Sequence, residues 1–240
     1  MSLLSLVASC DMLPDEQLYD YGGADVDAPV ASEQLPITGE INGYGYVDLG
    51  LPSGIKWAVC NVGAEYPWEY GDYYAWGETE EKDDYSWSTY KWCNGSETTL
   101  TKYCNDGNLG TVDDKMVLDL EDDAACFHWG GDWRMPTNAE FKELRDNCKW
   151  TWTTMNGVNG YKVTGPNGNS IFFSAGGNRF DASVSRRDIF GYYWSSSLYG
   201  EQCSNAHYLY FHDSTYDKSL GYRCEGRTVR PVWGKRLVAE

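Results

Sequence analysis

Several short stretches of the chain alternate apolar and polar positions with a period of two, the signature of strands that bury one face. Tyr46-Val47-Asp48-Leu49, the turn Leu51-Pro52-Ser53-Gly54 and Ile55-Lys56-Trp57-Ala58-Val59 predict strand, turn, strand. Trp150 and Trp152 alternate with Thr151 and Thr153, and Asn156-Gly157 and Asn159-Gly160 then supply turns. Tyr161 to Thr164 and Ser170 to Phe173 flank the Gly165 to Gly168 turn and predict a hairpin. Helical spacing enters at Thr137, which with Glu140 forms a capping box, and Phe141, Leu144 and Cys148 follow at i, i+3 and i+7. This predicts a helix over 138–148 lying on a sheet. A second helix is expected where Glu121-Asp122-Asp123 precede Ala124-Ala125-Cys126, because acids in a first turn oppose the helix dipole. The aromatic segments 70–76 and 85–92 show no helical spacing and predict ordered loops or short strands. The fold class is therefore α+β, with mixed short strands, two helices and long ordered loops; no repeat of solenoid or propeller length is visible.

The stretch 191–232 mixes two kinds of position. Tyr192, Tyr193, Trp194, Ser195 to Ser197, Ala206, Leu209, Phe211, Gly226, Val229, Pro231 and Val232 read as scaffold. Between them Tyr199, Gly200, Cys203, Ser204, Tyr208, Tyr210, His212, Ser214, Tyr216, Leu220, Tyr222 and Cys224, with Gly221, have no evident packing logic and are the candidate ligand-binding residues. Tyr among Ser and Gly is the composition of binding loops: rigid contact area beside small residues that allow close approach. On a regular strand Leu209 and Phe211 face one way and Tyr208, Tyr210 and His212 the other. His207 shares the parity of Leu209, which places it at the edge of the core.

Composition narrows the partners. A net charge of −17 over 240 residues disfavours nucleic acid, whose affinity depends on basic clusters releasing counterions. The apolar run Leu3 to Ala8 ends in Val7-Ala8-Ser9-Cys10, which resembles the close of a bacterial lipoprotein signal and makes Cys10 the expected lipidation site, although no Lys or Arg precedes it. Residues 11–42 are acidic, carry Pro14, Pro29, Pro36 and Gly22-Gly23, and read as a flexible tether with a reach of roughly 30 Å. The folded domain is expected over 43–240, and the protein at the outer membrane of the cell envelope, exposed on the surface.

Candidate chemistry is sparse. Asp119, Glu121, Asp122 and Asp123 lack the alternation and bend glycine of a calcium loop, so helix-terminal acids are the preferred reading. His207 and His212 fall on opposite strand faces and His128 is remote, so no metal and no cofactor is expected. Cys60, Cys126 and Cys148 read as small buried hydrophobes, and Cys93 could pair with Cys104 in an exported protein.

Tyr46-Val47-Asp48-Leu49-Gly50-Leu51-Pro52-Ser53-Gly54, Trp57-Ala58, Cys60-Asn61-Val62-Gly63-Ala64, Gly77-Glu78, Trp129-Gly130-Gly131 and Trp133-Arg134-Met135-Pro136-Thr137 with Glu140 carry a resemblance. Over 43–232 the chain resembles the major paralogous domain family of Fibrobacter succinogenes, abundant in Bacteroides-type surface proteins. That family is similar to the C-type lectin fold in its formylglycine-generating-enzyme branch. Tyr192-Tyr193-Trp194-Ser195-Ser196-Ser197, Ala206-x-x-Leu209-x-Phe211 and Val229-Arg230-Pro231-Val232 also resemble the variable proteins of diversity-generating retroelements. There, adenine replacement in Asn codons yields a limited residue set to which every candidate binding residue belongs; Glu201, Gln202, Lys218 and Glu225 fall outside it. The resemblance implies a C-type-lectin-like domain without enzymatic activity that binds a protein or glycan on another cell, phage or host surface. It implies no calcium-dependent sugar binding, since Glu-Pro-Asn, Gln-Pro-Asp and Trp-Asn-Asp motifs are absent. The alternatives are a non-diversified adhesin or structural lipoprotein of the same fold, and an oxidase of the formylglycine-generating type with Cys203 and Cys224 as its thiols.

Overall fold

A computed structural model describes residues 35–236, so Cys10 and most of the expected tether lie outside the described residues. The strands are β1 (Gly39–Ile41), β2 (Tyr44–Asp48), β3 (Lys56–Ala58), β4 (Trp133–Arg134), β5 (Lys149–Met155), β6 (Val158–Thr164), β7 (Ser170–Ser174), β8 (Asn178–Phe180), β9 (Ser183–Ser185), β10 (Gly191–Leu198), β11 (Asn205–His212), β12 (Thr215–Tyr222) and β13 (Val232–Trp233). Two α-helices, α1 (Ala124–Trp129) and α2 (Asn138–Asn147), complete a mixed α+β fold made mostly of strands. The order β1-β2-β3-β13-β4 forms one sheet, β10-β11-β12 and β5-β6-β7 form two more, and β8-β9 is a separate hairpin.

Local chemistry accounts for the elements. Thr137 caps α2 by accepting from the Glu140 N–H while Glu140 reaches back to the Thr137 N–H, the reciprocal box read from sequence. The helix ends one residue earlier than expected, with Cys148 as its C-cap. Asp123 caps α1, accepting from the Ala125 and Cys126 N–H groups, and its carboxylate also takes the Met135 N–H. The remaining acids of that run are bound to cations: Asp119 and Asp122 both reach the Lys102 ammonium, at 2.7 and 2.6 Å. At the β5-β6 turn Asn156 and Gly157 both have positive φ, as a tight hairpin requires.

Two expectations need correcting. Asn159-Gly160 supplies no turn, because both residues are paired within β6. The domain does not begin at Gly43. Leu35 is buried, and β1 pairs with β2 through Gly39 to Tyr46 and Ile41 to Tyr44, so the tether reading fails for 35–42. Pro36 and the acidic composition masked a three-residue edge strand, too short to display a period.

The sheet β10-β11-β12 is the central layer. Tyr193, Leu209 and Phe211 enter one core with Trp57, Phe141, Leu144 and Phe173, under α2. Trp194, Ala206 and Tyr208 enter the other with Trp76, Tyr103 and Trp133. The parity read for β11 thus holds, but both faces are packed over much of their length. Long segments without regular structure, from 59 to 119, are held by buried rings and by two arginines. Arg230 is fully buried and donates to Asn61 Oδ1, the carbonyls of Ala58 and Val59, and that of Phe172, all within 3.0 Å. Arg223, equally buried, donates to Tyr90 Oη and to the carbonyls of Lys102, Tyr103 and Cys203.

Arg230→Met keeps much of the stem's volume and strips these acceptors of their donor. Since each stranded buried polar group costs about 1–3 kcal/mol, the variant is expected to lose about 3 kcal/mol or more in urea denaturation. A loss under about 1 kcal/mol, near a typical single hydrogen bond, would show that the guanidinium does not hold the loops together.

Candidate ligand-binding groove

The sequence-derived candidates do not form one surface. Tyr199, Gly200 and Ser214 lie at turns: the Tyr199 hydroxyl donates to Glu201 at 2.6 Å, its ring meets His207 edge-on, and the Gly200 carbonyl accepts from Asn105. Tyr210 and His212 stand on the Tyr208 face of β11 and pack around the Phe190 ring. Tyr216 is a correction, because it stacks on Trp150 with centroids 4.7 Å apart and belongs to the core beneath α2. Leu220, 38% exposed, pairs in register with His207 on the outer strand β12, at the margin of the sheet.

Cys203, Ser204 and Cys224 are further corrections: each is essentially inaccessible to solvent. Cys203 and Ser204 precede β11 in a turn folded inward, where the Cys203 carbonyl accepts from Arg223; Cys224 follows Arg223 into the same core. The pairing of Cys93 with Cys104 is also not seen. Both are free thiols, Cys93 donating to the Trp87 carbonyl and Cys104 to that of Asp106. Cys60, Cys126 and Cys148, expected to be buried, are half-exposed. Among the described residues no group of three or more His, Cys, Asp or Glu could hold a metal ion, and no helix is long and apolar enough to cross a membrane.

What the fold does assemble is an open groove of about 620 Å³ between the β8-β9 hairpin and the end of the β10-β11-β12 sheet. Of the sequence-derived candidates, Tyr208, Leu220 and Tyr222 line it, with Gly221. Its other walls are Asn178, Phe180, Ser185 and Arg186 on the hairpin side and Tyr192, Gln202, Asn205, Glu225 and Arg227 on the sheet side. Tyr222 and Phe180 form an exposed aromatic rim, 41% and 50% accessible.

Arg227 is the floor. Its guanidinium carbon sits 3.6 Å from the Tyr208 ring centroid, 4.4 Å from Trp194 and 5.2 Å from Tyr192, a cation enclosed by three aromatic side chains. One amino group is ion-paired with Glu225. Backbone hydrogen bonds to Tyr74 in both directions pin the residue to the loop region behind. Gly221 makes room: a Cβ there would lie 2.1 Å from Arg227 Nη2. Above it Arg186 donates to the Tyr192 hydroxyl at 3.1 Å and covers the Phe190 ring. Burial raises the Tyr192 phenol above its ordinary pKa, with the Arg186 cation pulling the other way.

Sequence reasoning missed most of these residues. Tyr192 reads as scaffold from its pattern, and Gln202 and Glu225 fall outside the diversified residue set. The Asn178–Ser185 hairpin has too little alternation over three-residue strands to announce a wall. Neither a family model, nor a curated protein, nor a solved structure matches the chain significantly.

Burial has a chemical consequence for the thiols. It pushes Cys224 up to about 12 and Cys104 up to about 11, Cys104 being also hydrogen-bonded to Cys203. A raised thiol pKa keeps the nucleophilic thiolate scarce up to pH 9. At pH 8 iodoacetamide is therefore expected to leave Cys104 and Cys224 unmodified in the native chain, and Cys203 too because no solvent reaches it, and to alkylate all three in urea, read by peptide mass spectrometry. Native labelling at the rate of a free thiol would contradict the placement of these residues.

Proposed function

We propose that the chain is a surface-displayed binding protein of C-type-lectin-like fold, without catalytic activity, that engages a protein or glycan on another cell, phage or host surface. The observation that carries this reading is the groove: aromatic at its rim, lined by amides and a caged arginine, and within the usual size range of ligand sites. The lectin-like reading is supported by strands from both ends of the described chain meeting in one sheet, with long ordered loops between helix and strands. The display at the outer membrane rests on attachment through a lipid on Cys10.

Within this reading the chain is a variable protein of a diversity-generating retroelement, its variety displayed at exposed or half-exposed positions such as Tyr199, Gly200, Tyr210, His212, Ser214 and Tyr222. A second reading, a non-diversified adhesin or structural lipoprotein of the same fold, is favoured by the burial of Cys203, Ser204 and Cys224 and by the Arg227 contact at Gly221. Substitutions at those positions would be felt by the core before any ligand. The DNA beside the gene separates the two: a reverse transcriptase and a near-copy of the 3′ end differing only at adenines are expected for the first, and their absence rejects it.

The groove itself is tested with Phe180→Ser combined with Tyr222→Ser. Both side chains are exposed, so unfolding free energy should change by less than about 1 kcal/mol. Binding to an array of glycans and surface proteins should fall by at least about tenfold, a loss of about 1.4 kcal/mol. Undiminished binding of the same array members would move the site elsewhere.

A further inference from the structure

Two guanidinium nitrogens at the floor of the groove, carrying three N–H groups, have no acceptor among the described residues. Arg227 is 3% exposed at its side chain, and although one amino group meets Glu225, Nε and Nη1 have no hydrogen-bond partner among the described residues. A guanidinium has five donors in a fixed fork that matches a carboxylate, and buried donors are almost always satisfied. The faces of Tyr208 and Trp194 hold the cation but accept hydrogen bonds weakly. The groove's ionic balance points the same way. Arg186 and Arg227 stand against one acid, Glu225, in a chain whose net charge is −17. Arg186 is exposed at the mouth, and among the described residues its side chain meets the Tyr192 hydroxyl and the Phe190 ring, so its fork can turn toward a ligand.

We propose that the groove recognises an acidic saccharide, its carboxylate taken by Arg186 and Arg227 and its ring laid against the Tyr222 and Phe180 rim. This rests on the reading of the groove as the binding site and adds the chemical class of ligand. The remaining lining favours a sugar over an acidic peptide. Asn178, Gln202, Asn205 and Ser185 are neutral donors and acceptors suited to hydroxyl groups, whereas a run of acidic side chains would call for more cations than two. No unpaired strand edge is needed, since recognition runs through side chains. The carboxylate shortens its path to Arg227 by displacing the Arg186 contact with Tyr192, which frees the phenol to donate to the ligand.

The test uses the full chain at low salt, with galacturonic, glucuronic and N-acetylneuraminic acids, the methyl ester of each, and triglutamate, all titrated to millimolar concentration and followed by calorimetry and NMR. At least one sugar acid is expected to bind, with its ester about tenfold or more weaker, as for loss of a charge-assisted contact. Arg186→Gln, at an exposed site, should weaken the acid and leave the ester unchanged; Arg227→Met should do the same, with its fold checked by thermal melting. Equal binding of acid and ester overturns the carboxylate clamp while leaving the groove as a site. Tighter binding of triglutamate overturns the saccharide class, and binding of no sugar acid overturns the inference as a whole. A sugar acid that binds equally well to the Phe180→Ser, Tyr222→Ser chain shows that the groove reading, not the ligand class, is at fault.

Discussion

Arg223 and Arg230 are charged groups with essentially no solvent contact and, among the described residues, no carboxylate ion-paired with either. Burying an isolated cation is expensive, and the cost is offset only when every donor finds a well-placed acceptor. Here most acceptors are main-chain carbonyls, from the ends and edges of strands at Ala58 and Phe172 and from irregular chain at Val59, Lys102, Tyr103 and Cys203, which need donors as much as the guanidinium needs acceptors. Burial lowers the Arg230 pKa from its ordinary value, and the Phe173 ring at 4.9 Å supplies part of the compensation. Each arginine thus works as a multi-armed rivet through a region where neither helix nor sheet could satisfy the backbone. Arg227 repeats the arrangement with aromatic faces in place of carbonyls, which is why its Nε and Nη1 are left buried without a hydrogen-bond partner among the described residues, beneath the groove.

The same economy explains why the sheet β10-β11-β12 has core on both sides. A three-stranded antiparallel sheet needs only one buried face, yet α2 covers one and the loop region covers much of the other. The groove survives where that second cover stops, at the strand ends. Its shape is therefore set by where the loops and the β8-β9 hairpin happen to end.

How much was legible follows from how far each signal reaches along the chain. The Thr137–Glu140 box and the Phe141–Leu144 stripe are complete within a few residues, and α2 appears where they place it. The Asn156-Gly157 and Gly165–Gly168 turns likewise fix the β5-β6-β7 meander, and strand parity places Leu209 and Phe211 correctly. Parity fails just beyond the strand ends: Cys203, Ser204 and Cys224 sit in turns whose direction is dictated by Arg223, a residue contacting chain some 120 positions away. Composition carries no trace of that contact. The groove was half-legible for the same reason, Tyr208 and Tyr222 coming from local pattern, Phe180, Arg186 and Arg227 from tertiary placement alone.

The two-residue strand β13 lies between β3 and β4 and is hydrogen-bonded to both. Until Val232 and Trp233 leave the ribosome, β3 and β4 each present an open edge with no partner for it. The five-stranded sheet cannot close vectorially, and its completion waits for Trp233, far along the chain from β3. Such non-local closure is slow, and it leaves the incomplete chain vulnerable to edge-to-edge association in the meantime.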